Sequence, residues 1–547
     1  MRGLGVVWLA AWVVGCGGTE VDGPADPAGD DVELLFEPVG PDPAVVDAFA
    51  ASIGSLPVVQ AETGGHRGRL LNFHLLQDED PQTGVIGPTS RFRAIYYDYE
   101  ANRALDLFGD IGAPEAVVAV QTTAQPSPPL EEFQEAVELL LQDPELAARY
   151  ADGEVRFLHS MPPLLDDEDG DRVITVGISY EGALGPAEIA GVNLSARAVV
   201  HFPGMTPPNA SVTGFTCNPP VHSFEPGISR GTAGSARLRM RRQGAEVWSF
   251  NVTRPSVSSG TWGSGIEISD VRYRGKRILA SAGVPILNVR YEGDTCGPYR
   301  DWQWQENGFM VGPIVSTPAP GIALVEWAKT MRELGDDSGN FHGVAAYFDV
   351  LREEIVLISE LEAGWYRYAT EWRFGLDGTI RPRFGFDAVE NFCTCQAHSH
   401  HAYWRLDFHL GNGQNQFGAL DPVSGAWSQI AQEAQLVRNT DGAQRWRVRD
   451  SLSTDSVLIT PHAGEDPADS YGIADLWFVV DDPDEVDDAG LTAHHPTAAA
   501  IPQFVNGQSM VNVDGVLWWA GHFLHDDTDP TTNQTHTVEF TIRPESW

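Results

Sequence analysis

Apolar and polar positions along this chain follow two periods, and the period of two dominates. Phe92 to Tyr99 and Arg103 to Phe108 are short β-rich runs, and Arg172 to Tyr180 and Val192 to Phe202 are further strands. Helical spacing is clearest at Pro129 to Leu141, where Phe133, Val137, Leu140 and Leu141 share one face. Pro129 at its start, with Glu131 and Glu132 in the first turn, suits a helix N-terminus. Met161 to Asp171, rich in Pro, Asp and Gly, reads as a break. From about Ser235 onward the pattern is strands and turns, with one helical hint at Ile322 to Leu334. The pattern predicts a mainly β protein: small α+β N-terminal domains followed by a large antiparallel β-sandwich.

Composition narrows the setting. The chain has 547 residues, 76 acidic against 35 Lys plus Arg, a formal charge of −41, and 42% hydrophobic residues. It is too apolar for a disordered polyanion, and its charge argues against docking on nucleic acid or anionic lipid, which would repel it. Its only lysines are Lys276 and Lys329, which leaves little room for Schiff-base lysine chemistry. Residues 1–16 combine Arg2, an apolar run too short to span a bilayer, and Val13-Val14-Gly15-Cys16. They resemble a bacterial lipoprotein signal peptide that leaves Cys16 lipidated, and they predict an exported protein anchored to a bacterial membrane, facing the periplasm or the exterior. Residues 17–55 open on an acidic Gly/Pro-rich stretch and read as a tether, 56–155 as a small α+β domain, 156–230 as a second strand-rich domain and 231–547 as the sandwich. Cys217, Cys296, Cys393 and Cys395 remain. In an oxidising compartment the default is disulfides, with Cys393 and Cys395 bridging to Cys217 and Cys296; metal binding by the closely spaced pair is the alternative.

Three strand segments carry candidate chemistry. On a strand that includes His398, His400 and His401, the first two histidines project to one face and can reach one metal, while His401 points the other way. In Leu361 to Ile380, alternation places Tyr366, Tyr368, Thr370 and Trp372 on one face, and Asp377-Gly378 signals a hairpin returning toward the histidine strand. Asn512 to Asp526 is an apolar strand ending in His522 and His525. His401, His409 and His522 are expected to be strand-face residues.

Taken in order, these segments resemble the copper amine oxidases, quinoenzymes of periplasmic and extracellular spaces. Gly364, Trp365-Tyr366-Arg367, Trp372-Arg373-Phe374 and Gly378-Thr379-Ile380 follow the order of that family's quinone hairpin. His398, His400, Arg405 and Asp407 match its His-x-His and Arg-x-Asp, and Asp514, Trp518 and His525 keep its C-terminal spacing. Gly265 to Tyr291 is similar to the strand pair opening its catalytic domain, so the likeness spans most of residues 90–547.

The resemblance implies copper held by His398, His400 and His525, topaquinone formed from Tyr366, Asp301 as the base that removes the α-proton, and Tyr299 as a gate to the substrate. An ungapped match would put Gln303 at the base position, where an amide cannot take a proton. Asp407 and Asp514 match a peripheral calcium site, weakened by His409 where an acidic ligand is usual. Trp365 and Arg367 depart from the Asn and acidic residue that flank the family's quinone tyrosine. The implied reaction converts a primary amine and O₂ to aldehyde, ammonia and hydrogen peroxide, in a homodimer. The alternatives are a catalytically inactive copper-binding relative and a zinc-dependent hydrolase.

Overall fold

The computed structural model describes residues 6–8, 32–80, 83–166, 170–180, 188–201, 231, 233–291, 299–389, 392–438, 443–462, 474–487, 500–525 and 537–546. Cys16 and its proposed cleavage site lie outside these residues. Two large sheets, of eleven and twelve strands, face each other across one core. The eleven-stranded sheet runs Glu267–Tyr273, Lys276–Tyr291, His398–Phe408, Gly515–His525 and Leu476–Val480 through its centre. The twelve-stranded sheet runs Glu354–Ala363, Tyr366–Gly375, Ile380–Ala388 and Thr537–Ser546 through its centre. Pairing is antiparallel apart from Ile322–Val325 against Val344–Asp349. Apolar alternation on the inner faces closes the sandwich: Trp248, Trp262, Trp372, Trp404 and Trp519 are fully buried in the shared core. Burying side chains of this size contributes on the order of 2–3 kcal/mol each.

Two four-stranded antiparallel sheets precede the sandwich. The first spans Gly68 to Thr122 and the second Val155 to His201. The helix expected after Pro129 forms as Leu130–Leu140, and the run Phe92 to Tyr99 lies in the strand Ile86–Asp98. Four sequence expectations are corrected. The stretch read as a tether is partly folded, because Val32–Pro38 pairs with Val6–Trp8 on one side and Ser235–Arg242 on the other, and Pro43–Ser52 folds as a helix capped by the Asp42 side chain. The helical stretch Pro43–Thr63 is long and apolar enough to cross a membrane, but it buries Val46, Phe49, Ile53 and Val59 against the first sheet. Val192 to Phe202 is not one strand; Glu188–Asn193 and Ala198–His201 form a hairpin whose turn places Arg197 at φ +54°. Ile322 to Leu334 gives two short strands and a single helical turn, Met331–Leu334, whose N-terminus is closed by reciprocal Thr330–Glu333 bonds. The boundary drawn at residue 155 also cuts through one core, since Leu139 and Leu140 pack with Tyr97, Tyr99, Ile174 and Val176.

Glu132, read as a first-turn acid, is a buried anchor instead. It accepts from Arg172 at 2.6 and 2.7 Å and from the Tyr99 hydroxyl at 2.6 Å, which ties the helix to both sheets. Arg172 and Glu132 are both wholly buried, so deleting one partner leaves an uncompensated charge. Arg172→Ala is expected to destabilise the N-terminal region by about 3–5 kcal/mol, read as an earlier transition in chemical denaturation.

Candidate active site

The histidine strands meet in uninterrupted register: His398 lies opposite His525, His400 opposite Phe523 and His401 opposite His522. Alternation therefore sends His398 and His400 into the sandwich with His525, and His401 and His522 to the outer face. The His398 ring centroid is 4.9 Å from that of His400 and 4.6 Å from that of His525. His400 lies between Phe386 at 3.9 Å and Phe523 at 5.3 Å. The outer pair forms its own buried network, with His401 Nδ1 2.7 Å from His522 Nδ1 and His522 Nε2 3.1 Å from Asp475. His401 and His522 are thus strand-face residues, as expected.

Tyr366 reaches the same place from the opposite sheet. Gly364, at φ +57°, turns the chain between Glu354–Ala363 and Tyr366–Gly375, and Tyr366 then places its ring 4.8 Å from His400 and 5.5 Å from His398. Its hydroxyl is 2.7 Å from that of Tyr291, and Trp365 Nε1 donates to Tyr291 at 3.0 Å. Burial pushes the Tyr366, Tyr291 and Tyr368 phenols well above their ordinary range, which keeps them protonated at neutral pH. Arg367 forks onto Asp337 at 2.9 and 3.0 Å and donates to the Tyr366 carbonyl at 3.0 Å. The two departures from the expected flanking residues therefore hold Tyr366 from both sides.

Asp301, and not Gln303, belongs to this cluster. The Tyr368 hydroxyl donates to Asp301 Oδ2 and lies 3.3 Å from His400 Nδ1, with the Tyr368 ring 5.6 Å from Tyr366. Asp301 Oδ1 is buried without a hydrogen-bond partner among the described residues. Burial raises the Asp301 carboxyl to about 7, against the opposing pull of the Tyr368 hydrogen bond. Gln303 is held away: its amide N–H donates to Trp262 O, its carbonyl accepts from Gly265 at 3.1 Å, and Nε2 donates to Trp302 O. Tyr299 packs at 6.1 Å from Trp365 and 6.2 Å from Tyr291, at the edge of the cluster.

Among the described residues no group of three or more His, Cys, Asp or Glu side chains, as they stand, is placed to hold a metal ion. The donor chemistry of the three inward imidazoles nevertheless suits copper. His398 Nδ1 donates to Gln396 O at 2.6 Å, which leaves Nε2 as its ligating nitrogen, and His400 commits Nδ1 to Tyr368. His525 Nδ1 is 3.0 Å from His398 Nε2. Two imidazole nitrogens bound at ~2.0–2.1 Å to one ion stand roughly 3 Å apart, so that pair is already spaced for a shared ion.

The calcium expectation fares differently. Asp407 and Asp514 join Asp481 and Glu485 in a carboxylate group that already contains the Arg405 guanidinium. Arg405 pairs with Asp481, lies 3.3 Å from Glu485, and is 4.0 Å from Asp407. Burial and then Asp481 raise Asp514 to about 6. With an arginine inside it, this set does not fit a calcium ion. Cys393 is in a disulfide, which removes its thiolate and with it the metal reading of the Cys393/Cys395 pair. Cys217, Cys296 and the Cys395 side chain lie outside the described residues.

Sequence reasoning passed over Tyr291, Tyr368 and Asp337 as site residues. Tyr368 carried a signal, two positions from Tyr366 on the same strand face; Asp337, in a loop distant in sequence, carried none.

Several solved structures share this architecture. A copper-containing benzylamine oxidase from Hansenula polymorpha aligns with a TM-score of 0.57 at 13% identity, covering 92% of this chain and 97% of that one. A lysyl oxidase from Pichia pastoris aligns at 0.53 and 13%, covering 87% and 85%. An amine oxidase from Aspergillus nidulans aligns at 0.50 and 12%, covering 92% and 87%. No family model matches the chain, and no curated protein matches it. At these identities the likeness establishes the fold: this chain has the architecture of the copper amine oxidases along nearly its whole length.

The raised Asp301 carboxyl has a consequence for stability. A carboxyl whose folded pKa lies above its unfolded value favours folding less as pH rises through that interval, here from about 4 to about 7. Asp301→Asn removes the buried charge while keeping an acceptor for Tyr368. It is expected to raise the melting temperature more at pH 8 than at pH 5, as thermal unfolding at the two pH values would show.

Proposed function

We propose that this protein is an exported, copper-dependent primary-amine oxidase that uses a quinone made from Tyr366 and releases aldehyde, ammonia and hydrogen peroxide. The observation that carries the reading is the approach of the Tyr366 ring to His398 and His400 across the sandwich, with Asp301 two hydrogen bonds from His400 through Tyr368. The fold shared with copper amine oxidases supports it.

His398 and His400 through Nε2, and His525 through Nδ1, would hold copper. Copper and the Tyr366-derived quinone, when present, supply an electrophilic carbonyl and a two-electron acceptor that O₂ regenerates. The remaining work falls to this chain's own groups. Tyr291, steadied by Trp365, holds the Tyr366 oxygen and so fixes the ring's orientation. Arg367 pins the backbone beneath it. Asp301 accepts the substrate α-proton at Oδ1 while Tyr368 restrains Oδ2; a base near 7 is matched to work at neutral pH. Tyr299, at the rim, gates entry. The dense negative charge raises the local concentration of cationic amines. A lipid anchor on Cys16 and a homodimeric assembly complete the proposal.

The exchange of the expected residues for Trp365 and Arg367 favours one second reading, a copper-binding relative whose tyrosine stays unmodified. The zinc-hydrolase reading is weaker, because Asp301 meets the histidine trio only through a tyrosine hydroxyl.

Aerobic copper addition to metal-free protein is expected to add two oxygens and remove two hydrogens from the peptide containing Tyr366, seen by mass spectrometry, and His525→Ala should abolish the change. Copper bound beside an unmodified tyrosine would instead establish the silent relative. In the active enzyme, kcat/KM should rise with pH as the Asp301 carboxyl ionises near 7. Asp301→Asn should lower kcat by about 10²–10⁴-fold in a peroxide-coupled assay.

A further inference from the structure

His398, His400 and His525 are neutral ligands, so a cupric ion among them would bring its full double positive charge into the core. All three imidazoles are buried, and the rings of Tyr366, Tyr368, Phe386 and Phe523 pack around His400. A charge in so dry a place is costly unless an opposite charge is held within reach.

The hydrogen bonds around His400 lead to such a charge. His400 Nδ1 lies 3.3 Å from the Tyr368 hydroxyl, which in turn donates to Asp301 Oδ2. With Nε2 on a metal, His400 carries its proton on Nδ1 and donates to the Tyr368 oxygen, so the chain runs one way, from imidazole to hydroxyl to carboxylate. In a low-dielectric interior each bond polarises the next. Asp301 and Tyr368 are wholly buried. Asp301 Oδ2 takes only the Tyr368 hydroxyl and Oδ1 has no hydrogen-bond partner, so among the described residues no guanidinium neutralises it. Asp337, which also lies near Tyr366, is already paired with Arg367. His398, by contrast, donates Nδ1 to the neutral Gln396 carbonyl.

We propose that Asp301, acting through Tyr368, is also a positioning residue for the metal: it fixes the His400 tautomer and is the counter-charge that favours Cu(II) over Cu(I) at the three histidines. This rests on the reading of His398, His400 and His525 as ligands, but not on quinone formation. A divalent ion gains twice the attraction of a monovalent one from the same carboxylate, so Asp301 sets the balance between the two ions as well as the affinity.

The test uses the full-length Tyr366→Phe protein, which keeps the three histidines but has no phenol to convert to a quinone, at pH 8, where Asp301 is ionised. Affinities for Cu(II) and, anaerobically, for Cu(I) are measured by competition with chelators. In that background Asp301→Asn, which keeps an acceptor for Tyr368, is expected to weaken Cu(II) binding by at least about tenfold and Cu(I) binding by less. A tenfold difference between the two raises the Cu(II)/Cu(I) midpoint potential by about 59 mV, whereas a merely structural role would weaken both ions alike. Tyr368→Phe should act in the same direction, and the double variant should lose no more than the more damaging single one, because both cut one chain. Asp301→Asn is expected to melt higher than its parent at this pH, so its lost affinity is not loss of fold. The proposal is overturned if Asp301→Asn binds Cu(II) within about twofold of its parent, or loses Cu(I) as steeply as Cu(II). His525→Ala separates this proposal from the reading beneath it. Undiminished Cu(II) binding there overturns the ligand assignment and this proposal with it, while lost binding there beside unchanged binding in Asp301→Asn overturns this proposal alone.

Discussion

The register between His398–Phe408 and Gly515–His525 is the constraint on which the candidate site depends. The side-chain period of a strand is two, so a slip by one residue would send His398 and His400 outward and bring His401 in. Eleven consecutive pairs without a bulge fix that register. The burial of Trp404, Leu406 and Phe408 on the same face as His400, against Leu517, Trp519 and Phe523, makes any slip cost several large buried side chains. The imidazoles are thus positioned by the packing of the hydrophobic core, and this register brings His398 Nε2 within 3.0 Å of His525 Nδ1.

The facing sheet supplies the rest under a different constraint. Tyr366, Tyr368 and Phe386 pack against the imidazoles in a dry interior, which raises the cost of ionising any phenol there. The same dryness lifts Asp301. Burial that keeps tyrosines neutral and a carboxyl near 7 gives one small volume both a restrained phenol and a base that works near neutrality. The cost is a carboxylate with one oxygen unsatisfied, tolerable because the surrounding core is large.

How much of this was legible in the sequence follows from the range of the interactions. Strand periodicity revealed that His398 and His400 share a face and His401 does not, and that Tyr366 and Tyr368 point together, because both depend only on the neighbouring two residues. The Asp377-Gly378 turn was equally local, and Gly378 adopts φ +93° as a hairpin of this kind requires. The choice between Asp301 and Gln303 was not legible. It is decided by which side chain meets Tyr368, a contact across 67 positions of chain, and by the backbone bonds that Gln303 makes to Trp262 and Gly265. The tether was misread for the same reason. Val32–Pro38 is acidic and flanked by Gly and Pro, yet it pairs with Ser235–Arg242, whose arginines Arg239 and Arg241 lie opposite Leu35 and Glu33. Glu132 looked like a helix-dipole residue until Arg172 arrived from another sheet.

The departures at Trp365 and Arg367 are best understood as one exchange of polarity around Tyr366. An acidic neighbour would have presented negative charge at position 367. Here a guanidinium is wholly buried instead, and the acid is delivered from outside the strand by Asp337, which accepts both arms of the fork. The Arg367–Asp337 pair is neutral overall where a lone acid would carry −1, so the exchange removes a net negative charge beside the Tyr366 backbone and keeps the guanidinium compensated. Trp365 makes a parallel substitution: an indole N–H takes over as a donor beside the ring, given to Tyr291, whose hydroxyl meets that of Tyr366, while the indole ring itself lies 6.2 Å from the Tyr366 ring. This hold restrains the phenol oxygen while the ring stays 4.8 Å from His400. Sequence divergence at the two positions flanking the tyrosine therefore coexists with an orientation set by the packing of the whole sandwich.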